Sequence, residues 1–358
     1  MSDSAQLIVA PFPPPLGGVS VAAVNVAAVL EGQGIAVLRF STGAGTRHED
    51  LYARKGWRHV LRTLALFGAL LCLLVRGPKV RIAHVFCVSN SAFLRDFVFL
   101  LLLRLAGKRV IVHLHSKTAG ELFVRPRWAP WFGRMLSVAQ HVIVLSEFHR
   151  AFFSAHIDPA KLRVMENFVF SGPFHGGAHE GDFLFVGRLS RLKGFFDLVE
   201  AVALLTRSGR HPGLRIDCLG EAENTAEMET LRDLMAAQGV ARHFRLHGNV
   251  SGEPKYTFFR HARCLVFPSH FENSSVVLKE AIAARLPVIA SDIDANCRIL
   301  DPAGAALYCK AATPADLAAT MERFLDDPAS AATLMRKLER AIIFDEHYAY
   351  ACMAGLFD

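Results

Sequence analysis

Two segments of the sequence place charged side chains directly after apolar runs. The first, FLFVGRLSRLKG at 183–194, ends its apolar run at Gly187 and continues with Arg188 and Lys193. A glycine frees the backbone, a guanidinium offers a bidentate fork and an ammonium is a point charge, so the pattern suits a diphosphate. The alternative is a solvated basic turn, but a position just after a predicted strand favours phosphate binding.

The second segment, at 267–290, contains two carboxylates eight residues apart, Glu272 in a loop and Glu280 on an otherwise apolar helix. Ionised carboxylates accept several hydrogen bonds, so one can hold sugar hydroxyls and the other a ribose. An unpaired charge on an apolar helix is costly unless something uses it. Exposed backbone N–H groups at the start of that helix can meet phosphate oxygens, and the residues there are Asn273, Ser274 and Ser275.

Two loops in the first half offer weaker signals. Gly17 and Gly18 open the first predicted helix, where glycines let N–H groups approach a phosphate or carboxylate, although a plain tight turn is the alternative. The dinucleotide fingerprint Gly-x-Gly-x-x-Gly is absent. His113 and His115 fall on one face of a predicted strand, but a third metal ligand nearby is missing, so zinc is not favoured. We expect His113 to be a core histidine.

Short apolar runs alternate with longer amphipathic or apolar segments, which predicts parallel sheets covered by helices on both faces. In the first half, the predicted strands are 6–10, 35–40, 81–87, 109–115, 141–145 and 162–165, and the predicted helices are 19–31, 57–75, 92–105, 131–138 and 147–155. In the second half, the strands are 183–186, 215–219, 244–246, 264–267 and 288–290, and the helices are 195–206, 225–237, 254–261, 276–284, 314–324 and 329–341. Residues 166–181, with four glycines and a proline, are typical of a linker.

Composition restricts the class of protein. A chain of 358 residues predicts two domains, and 52% hydrophobic against 20% charged residues excludes extensive disorder. Seven cysteines without Cys-x-x-Cys exclude a disulfide framework and a ribbon-type zinc site, and favour a reducing cytoplasm. The N-terminus lacks the features of a secretory signal, and the apolar runs 64–75 and 97–103 are too short to span a bilayer.

The charge is divided unevenly along the chain. Residues 1–175 contain 20 Lys and Arg against 9 Asp and Glu, whereas residues 176–358 contain 20 against 24. The basic half predicts an anionic partner, for which a membrane surface, a phosphorylated substrate or a nucleic acid qualifies, although no motif supports nucleic acid. Residues 51–81 combine arginines with an apolar centre, which fits either a helix on an anionic membrane or a buried helix with basic ends. Arg125, Arg127 and Trp128 form a second basic and aromatic patch.

Taken together, these motifs resemble the retaining family 4 glycosyltransferases of the GT-B fold. The resemblance rests on GRLSRLKG at 187–194, on PSHFE at 268–272 with a second glutamate at 280, and on LPVIA at 286–290. It implies an α/β protein with two doubly wound, Rossmann-like domains facing across a cleft. Residues 1–168 with a crossover helix at 343–358 would bind the acceptor, 169–180 would be a linker, and 181–342 would bind the nucleotide sugar.

The resemblance also implies a role for each candidate residue. Arg188 and Lys193 would hold the donor diphosphate, Glu280 the ribose, and Glu272 the donor sugar near the reacting carbon. Gly17 and Gly18 would close over the phosphate or sugar, Gly220 would lie beside the nucleotide, and His115 would face the donor sugar. Gly187, Asn273, Ser274 and Ser275 complete the predicted donor site, and no cofactor or metal is expected.

The implied activity is retaining transfer of a sugar from a UDP- or GDP-type donor to a lipid-linked glycan of bacterial surface polysaccharide or lipopolysaccharide synthesis. The protein would work in the cytoplasm, peripherally on the inner membrane. An inactive nucleotide-sugar or lipid-binding protein and a nucleotide-sugar epimerase of the same fold are the alternatives. Arg285 and Asp294 stand where the family usually has glycines, and a left-handed backbone is expected at Arg285.

Overall fold

The computed structural model describes residues 5–12, 18–43, 57–77, 79–90, 92–116, 125–207, 209–339, 341 and 344–357. The chain forms two compact units. Unit 1 comprises Met1–Phe168 and Glu346–Asp358, and unit 2 comprises Val169–Asp345. Each unit is built on one six-stranded parallel sheet.

Unit 1 alternates strands and helices along the chain. Its strands are β1 (Ala5–Ala10), β2 (Val37–Ser41), β3 (Val80–Cys87), β4 (Arg109–Leu114), β5 (His141–Val144) and β6 (Leu162–Val164). Its helices are α1 (Gly18–Gly32), α2 (Trp57–Arg76), α3 (Phe93–Leu105), α4 (Ala129–Leu136), α5 (Glu147–Phe153) and, from the C-terminal segment, α13 (Glu346–Ala354). The sheet order is β2-β1-β3-β4-β5-β6.

Continuous apolar strands explain why both faces of the unit 1 sheet are covered. β1 is buried along its whole length, and β3 is buried except at Arg81. On one face, Val85 and Val112 pack with Phe93, Phe99 and other residues of α2, α3 and α4. On the other face, α13 contacts α1, and Phe357 lies edge-on to His84.

Unit 2 repeats the alternation. Its strands are β7 (Phe183–Val186), β8 (Ile216–Leu219), β9 (Phe244–Leu246), β10 (Cys264–Phe267), β11 (Val288–Ser291) and β12 (Ala306–Cys309). Its helices are α6 (Phe195–Arg207), α7 (Thr225–Ala237), α8 (Glu253–His261), α9 (Val276–Ala283), α10 (Asp294–Leu300), α11 (Pro314–Asp326) and α12 (Pro328–Leu338).

The strand order of unit 2 places its first strand in the middle of the sheet. The order is β12-β11-β10-β7-β8-β9, so the chain moves outward from β7 to β9 and then returns to the other side at β10. This is the doubly wound order of dinucleotide-binding sheets, whose ligands lie outside the carboxyl ends of the strands at the point of reversal. A ligand of unit 2 is therefore expected at the loops after β7 and β10.

Three details of unit 2 differ from the pattern in the sequence. β12 and α10 were not predicted, because β12 is a half-exposed edge strand and α10 has only seven residues. Residues 169–180, the predicted linker, are grouped with unit 2, where Phe174 is buried edge-on against Tyr256 and Phe259.

Two findings concern the whole described chain. All seven cysteines are unpaired thiols. Among the described residues, no helix combines the length and the apolar character that crossing a membrane requires.

Candidate functional site

Three glycines let the loops at the carboxyl edge of unit 2 approach one another. Gly220 follows β8 with φ 143°, and a Cβ on it would lie 1.9 Å from the carbonyl oxygen of Gly187. Gly194 has φ 68°, and a Cβ on it would lie 2.0 Å from the carbonyl oxygen of Pro268. Gly187 itself has φ 155° and donates its N–H to Leu219 O at 3.0 Å. Only glycine fits the contacts at Gly194 and Gly220, so the loops after β7, β8 and β10 meet here.

Lys193 and Glu272 join the loops after β7 and β10. The Lys193 ammonium donates to Oε1 of Glu272, and Ser269 Oγ donates to the same oxygen at 2.9 Å. Within the described part of the chain, Oε2 of Glu272 has no hydrogen-bond partner. An ammonium has three donors, so Lys193 keeps two after this bond. The pair therefore offers both a carboxylate acceptor and ammonium donors to a ligand.

Arg188 lies at the more exposed side of the same edge. Its guanidinium donates to Oε1 of Glu223, and both side chains are about half exposed to solvent. Glu223 follows β8 and was not recognised from the sequence, because an isolated glutamate in a loop carries no pattern. A guanidinium has five N–H donors in a planar fork, so Arg188 can pair with Glu223 and also contact an anion.

The start of α9 is held by two serines. Ser275 is the N-cap, and its hydroxyl accepts the N–H of Leu278 at 3.3 Å. Ser274 accepts a hydrogen bond at 2.6 Å from the ammonium of Lys279, a lysine only 1% exposed. Asn273 is half-buried beside them. Lys279 was not predicted as a site residue. It is a lysine on an apolar helix, which the sequence shows, but the prediction considered only the neighbouring Glu280.

Glu280 is a buried carboxylate with one oxygen unused. It is 6% exposed, and Lys255 from α8 donates to its Oε1 at 2.6 Å. Its Oε2 is buried and has no hydrogen-bond partner in the part of the chain that the structure describes. Burial raises the pKa of Glu280, and the adjacent Lys255 acts in the opposite direction. A buried acceptor left open at the carboxyl edge of a doubly wound sheet fits a hydroxyl donor of a ligand.

The structure groups the remaining predicted residues with unit 1. Gly17 lies outside the described residues, and Gly18 is the first residue of α1, with open space where a Cβ would be. His115 is half-buried just after β4 and stacks on Phe86 at 5.5 Å between ring centroids. Burial, with a smaller contribution from His149, lowers the pKa of His115 to about 4, so the imidazole is neutral at pH 7.

His113 belongs to a buried chain of hydrogen bonds. Its Nε2 lies 2.9 Å from Nδ1 of His84, whose Nε2 lies 2.8 Å from Oε1 of Gln6. Because the amide oxygen can only accept, His84 donates to Gln6 and accepts from His113. His113 is thus a satisfied core histidine, as expected.

The structure describes both positions at which the sequence departs from the family pattern, Arg285 and Asp294. Arg285 has φ 57°, which confirms the expected left-handed backbone, and it follows α9 in a Schellman arrangement in which Leu286 N–H donates to Ala281 O at 2.9 Å. Asp294 begins α10 rather than lying in a loop. Asp292 accepts the N–H of Ala311 at 2.9 Å, which is a structural role.

Comparison with known proteins identifies relatives of unit 2 and of the whole chain. Residues 177–341 match the family model described as glycosyl transferases group 1. Glycogen synthase of Mycobacterium tuberculosis H37Rv is 30% identical over 164 residues, 46% of this chain and 38% of that protein. The GDP-mannose:cellobiosyl-diphosphopolyprenol alpha-mannosyltransferase of Xanthomonas oryzae is 29% identical over 233 residues, 63% of this chain and 60% of that protein. The chain thus spans less than two thirds of the length of these relatives.

A solved structure resembles the chain over nearly its full length. Alr3699/HepE of Anabaena, in complex with UDP and glucose, has a TM-score of 0.73 and 15% sequence identity, and the match covers 99% of each chain. At this identity the likeness concerns the fold alone. The predicted fold class, GT-B with two doubly wound units, is confirmed.

Proposed function

We propose that the chain, whose residues 177–341 match the model of glycosyl transferases group 1, is a retaining, metal-independent glycosyltransferase that uses a nucleoside diphosphate sugar. The observation that carries the proposal is Glu280, whose buried Oε2 has no hydrogen-bond partner among the described residues. A ribose hydroxyl donates the hydrogen bond that this oxygen lacks. The UDP complex of the HepE structure supports a nucleotide ligand for this fold.

The remaining residues of the carboxyl edge fit the rest of the donor. Arg188 and Lys193 would hold the diphosphate, with the N–H groups at the start of α9 near the same ligand. Oε2 of Glu272 would accept a hydroxyl of the donor sugar. Each of these groups is already positioned by a contact within unit 2, so little reorganisation is needed on binding.

The proposed reaction places negative charge on the leaving diphosphate, and the site has positively charged side chains for it. The bond between the anomeric carbon and the diphosphate oxygen breaks, and its electron pair stays on the diphosphate. The acceptor oxygen forms the new bond to the same carbon, and its proton passes to the released diphosphate, which is a base. The positive charges of Arg188 and Lys193 stabilise the developing diphosphate, which is the reason that no metal is required in this proposal.

The acceptor of the sugar is a separate part of the proposal. We infer that it is a lipid-linked glycan intermediate of surface polysaccharide or lipopolysaccharide synthesis, met at the cytoplasmic face of an anionic inner membrane. The excess of 20 cations over 9 anions in residues 1–175 supports an anionic surface as partner. Seven unpaired thiols fit a reducing compartment. The relative that acts on a diphosphopolyprenol-linked acceptor supports the lipid carrier.

Thermal unfolding in the presence of UDP, GDP, ADP and their sugar conjugates, with and without EDTA, tests the donor assignment. A ligand that binds only the folded protein raises its melting temperature. We expect one base to raise it, and EDTA to leave that shift unchanged. A shift that EDTA abolishes would contradict metal independence, and no shift with any nucleotide would contradict the donor site.

Product analysis separates the proposal from its alternatives. Donor incubated with an acceptor extract should give a glycoside with the anomeric configuration of the donor. A changed sugar nucleotide formed without any acceptor would indicate an epimerase. Nucleotide binding without any product would indicate an inactive binding protein.

A further inference from the structure

Helix α2 of unit 1 is apolar on two opposite faces. One face packs into the unit 1 core through Leu66, Phe67, Leu70, Leu73 and Leu74. The other face is exposed to solvent, and we call it the α2 surface; its large apolar residues are Trp57, Val60, Leu61, Leu64, Leu71 and Val75, which are 46–82% exposed. At about 100° per residue these six positions fall within a stripe about 100° wide. A soluble helix normally places polar residues on such a face.

The charged residues of α2 and of the segment that follows it have one sign. Residues 57–81 contain five Lys and Arg and no Asp or Glu. Arg76, Lys79 and Arg81 are exposed, and none of the three forms an ion pair with another described residue. An occupant that satisfies this surface must therefore be apolar at the stripe and anionic beside it. An anionic bilayer has both properties, acyl chains below a layer of negatively charged headgroups.

Unit 1 also has exposed tryptophans. All three tryptophans of the chain lie in unit 1, and all are exposed, Trp57 by 69%, Trp128 by 39% and Trp131 by 60%. Arg127 lies over the ring of Trp128 and Arg134 over the ring of Trp131. Tryptophan, with an apolar ring and one N–H donor, prefers the boundary between lipid and water.

We propose that the α2 surface docks on an anionic lipid bilayer, with the helix axis in the plane of the interface. A spanning orientation is excluded, because the uncharged stretch 63–75 is only about 20 Å long as a helix and its other face is buried in the core. The inference deepens the proposed function and rests on it for the lipid-linked acceptor. The lipid contact itself needs neither donor nor acceptor, so it can be measured separately.

Flotation with lipid vesicles tests the contact. The full-length protein is mixed with vesicles of phosphatidylcholine alone or with 30% phosphatidylglycerol. The double variant Leu64→Glu/Val75→Glu alters the α2 surface, and Leu204→Glu, on the exposed side of α6 in unit 2, is the matched control. We expect the wild type and the control to float with the anionic vesicles, less so in 0.5 M NaCl, and the double variant to bind at least about tenfold more weakly.

The fluorescence of Trp57 locates the contact. In a Trp128→Phe/Trp131→Phe background, vesicles containing brominated acyl chains should quench Trp57, because the ring would lie at the acyl boundary. Unquenched Trp57 in vesicle-bound protein would overturn the assignment to α2. Equal flotation of wild type and double variant, with unchanged melting temperatures, would also overturn it.

Light scattering after size exclusion tests whether a second copy of the chain, instead of a bilayer, covers the α2 surface. A wild-type dimer that the double variant converts to a monomer, without vesicle binding by either, would replace the bilayer by self-association. Donor-induced thermal shifts measured on the same samples report on the proposed function independently, because the substitutions lie outside the donor site.

Discussion

Lys255 and Glu280 form a hydrogen-bonded ion pair at 2.6 Å that uses one carboxylate oxygen, and the other oxygen is buried without a partner among the described residues. Burial raises the pKa of Glu280, and the adjacent Lys255 opposes that shift. An unpaired buried acceptor costs free energy, so we attribute the second oxygen of Glu280 to ligand binding rather than to stability.

Glu280→Gln should weaken binding of the nucleoside diphosphate by about 10- to 100-fold, because a hydrogen bond to a charged group contributes about 1.5–3 kcal/mol. Isothermal titration with the nucleotide that shifts the melting temperature measures this. Glu339→Gln, at a glutamate side chain 57% exposed, is the control and should bind normally. Unchanged affinity in Glu280→Gln would remove Glu280 from the donor site.

Arg188→Ala and Lys193→Ala should each lower turnover by about 10²-fold or more, since each removes a charge that stabilises the leaving diphosphate. Steady-state kinetics at saturating donor provides the measurement. Arg191→Ala is the matched control in the same loop, because the Arg191 guanidinium lies over the ring of Phe196 at 4.1 Å and has no role in the proposed site. Turnover near the wild-type value in both variants would refute their catalytic assignment.

Gly220→Ala should destabilise unit 2 by about 2–3 kcal/mol, because the new Cβ would overlap the carbonyl oxygen of Gly187 and the backbone has φ 143°. Urea unfolding measures the free energy. Gly213→Ala, where no heavy atom lies within 4 Å of the added Cβ, should change it little. Similar free energies for the two variants would show that the loops do not require this close approach.

Arg285→Gly should stabilise the protein by about 0.5–1 kcal/mol. A left-handed backbone costs a residue with a Cβ about 1–2 kcal/mol, and glycine avoids this cost. Part of the gain is lost because glycine also gives the unfolded chain more conformational freedom. Arg285→Ala separates backbone from side chain, since it removes the guanidinium but keeps the strain. A gain in Arg285→Ala equal to that in Arg285→Gly would assign the effect to the side chain instead.

Acid should destabilise unit 1 through its buried histidines. Burial lowers the pKa of His84 from 6.5 to about 4, and burial together with the neighbouring His84 and His115 lowers the pKa of His113 well below 6.5. Between pH 6.5 and 4 the unfolded chain therefore binds more protons than the folded chain, so stability falls as the pH falls through this range. His84 alone should cost about 2 kcal/mol between pH 7.5 and 5.0.

Urea unfolding at both pH values checks this contribution. His84→Asn should be less stable at pH 7.5, because the hydrogen bonds to Gln6 and His113 are altered, but should lose less stability on acidification than the wild type. The exposed His156 supplies the control, since His156→Asn should keep the wild-type pH dependence. Equal losses in His84→Asn and the wild type would contradict the assignment.

The alternation of strands and helices was predictable because both sheets are parallel and buried, so each strand is a short continuous apolar run and each helix a longer one. Elements with weaker patterns were not found, namely the half-exposed edge strand β12 and the short helix α10. The sequence also left two interpretations open for residues 51–81. In the structure one face of α2 is buried and the other is exposed, so the helix is not fully buried, and contact with a membrane stays a prediction.

The chemistry of the candidate residues was predictable from the sequence alone. Arginine, lysine and glutamate that follow predicted strands already imply phosphate and hydroxyl binding. Only the tertiary structure decided their partners, because Lys255 comes from another helix than Glu280 and Glu223 from another loop than Arg188. The positions that require glycine were likewise decided by folding. A Cβ at Gly220 is excluded by an oxygen 33 residues away in the chain, and the strand order that brings the two together cannot be read from either segment.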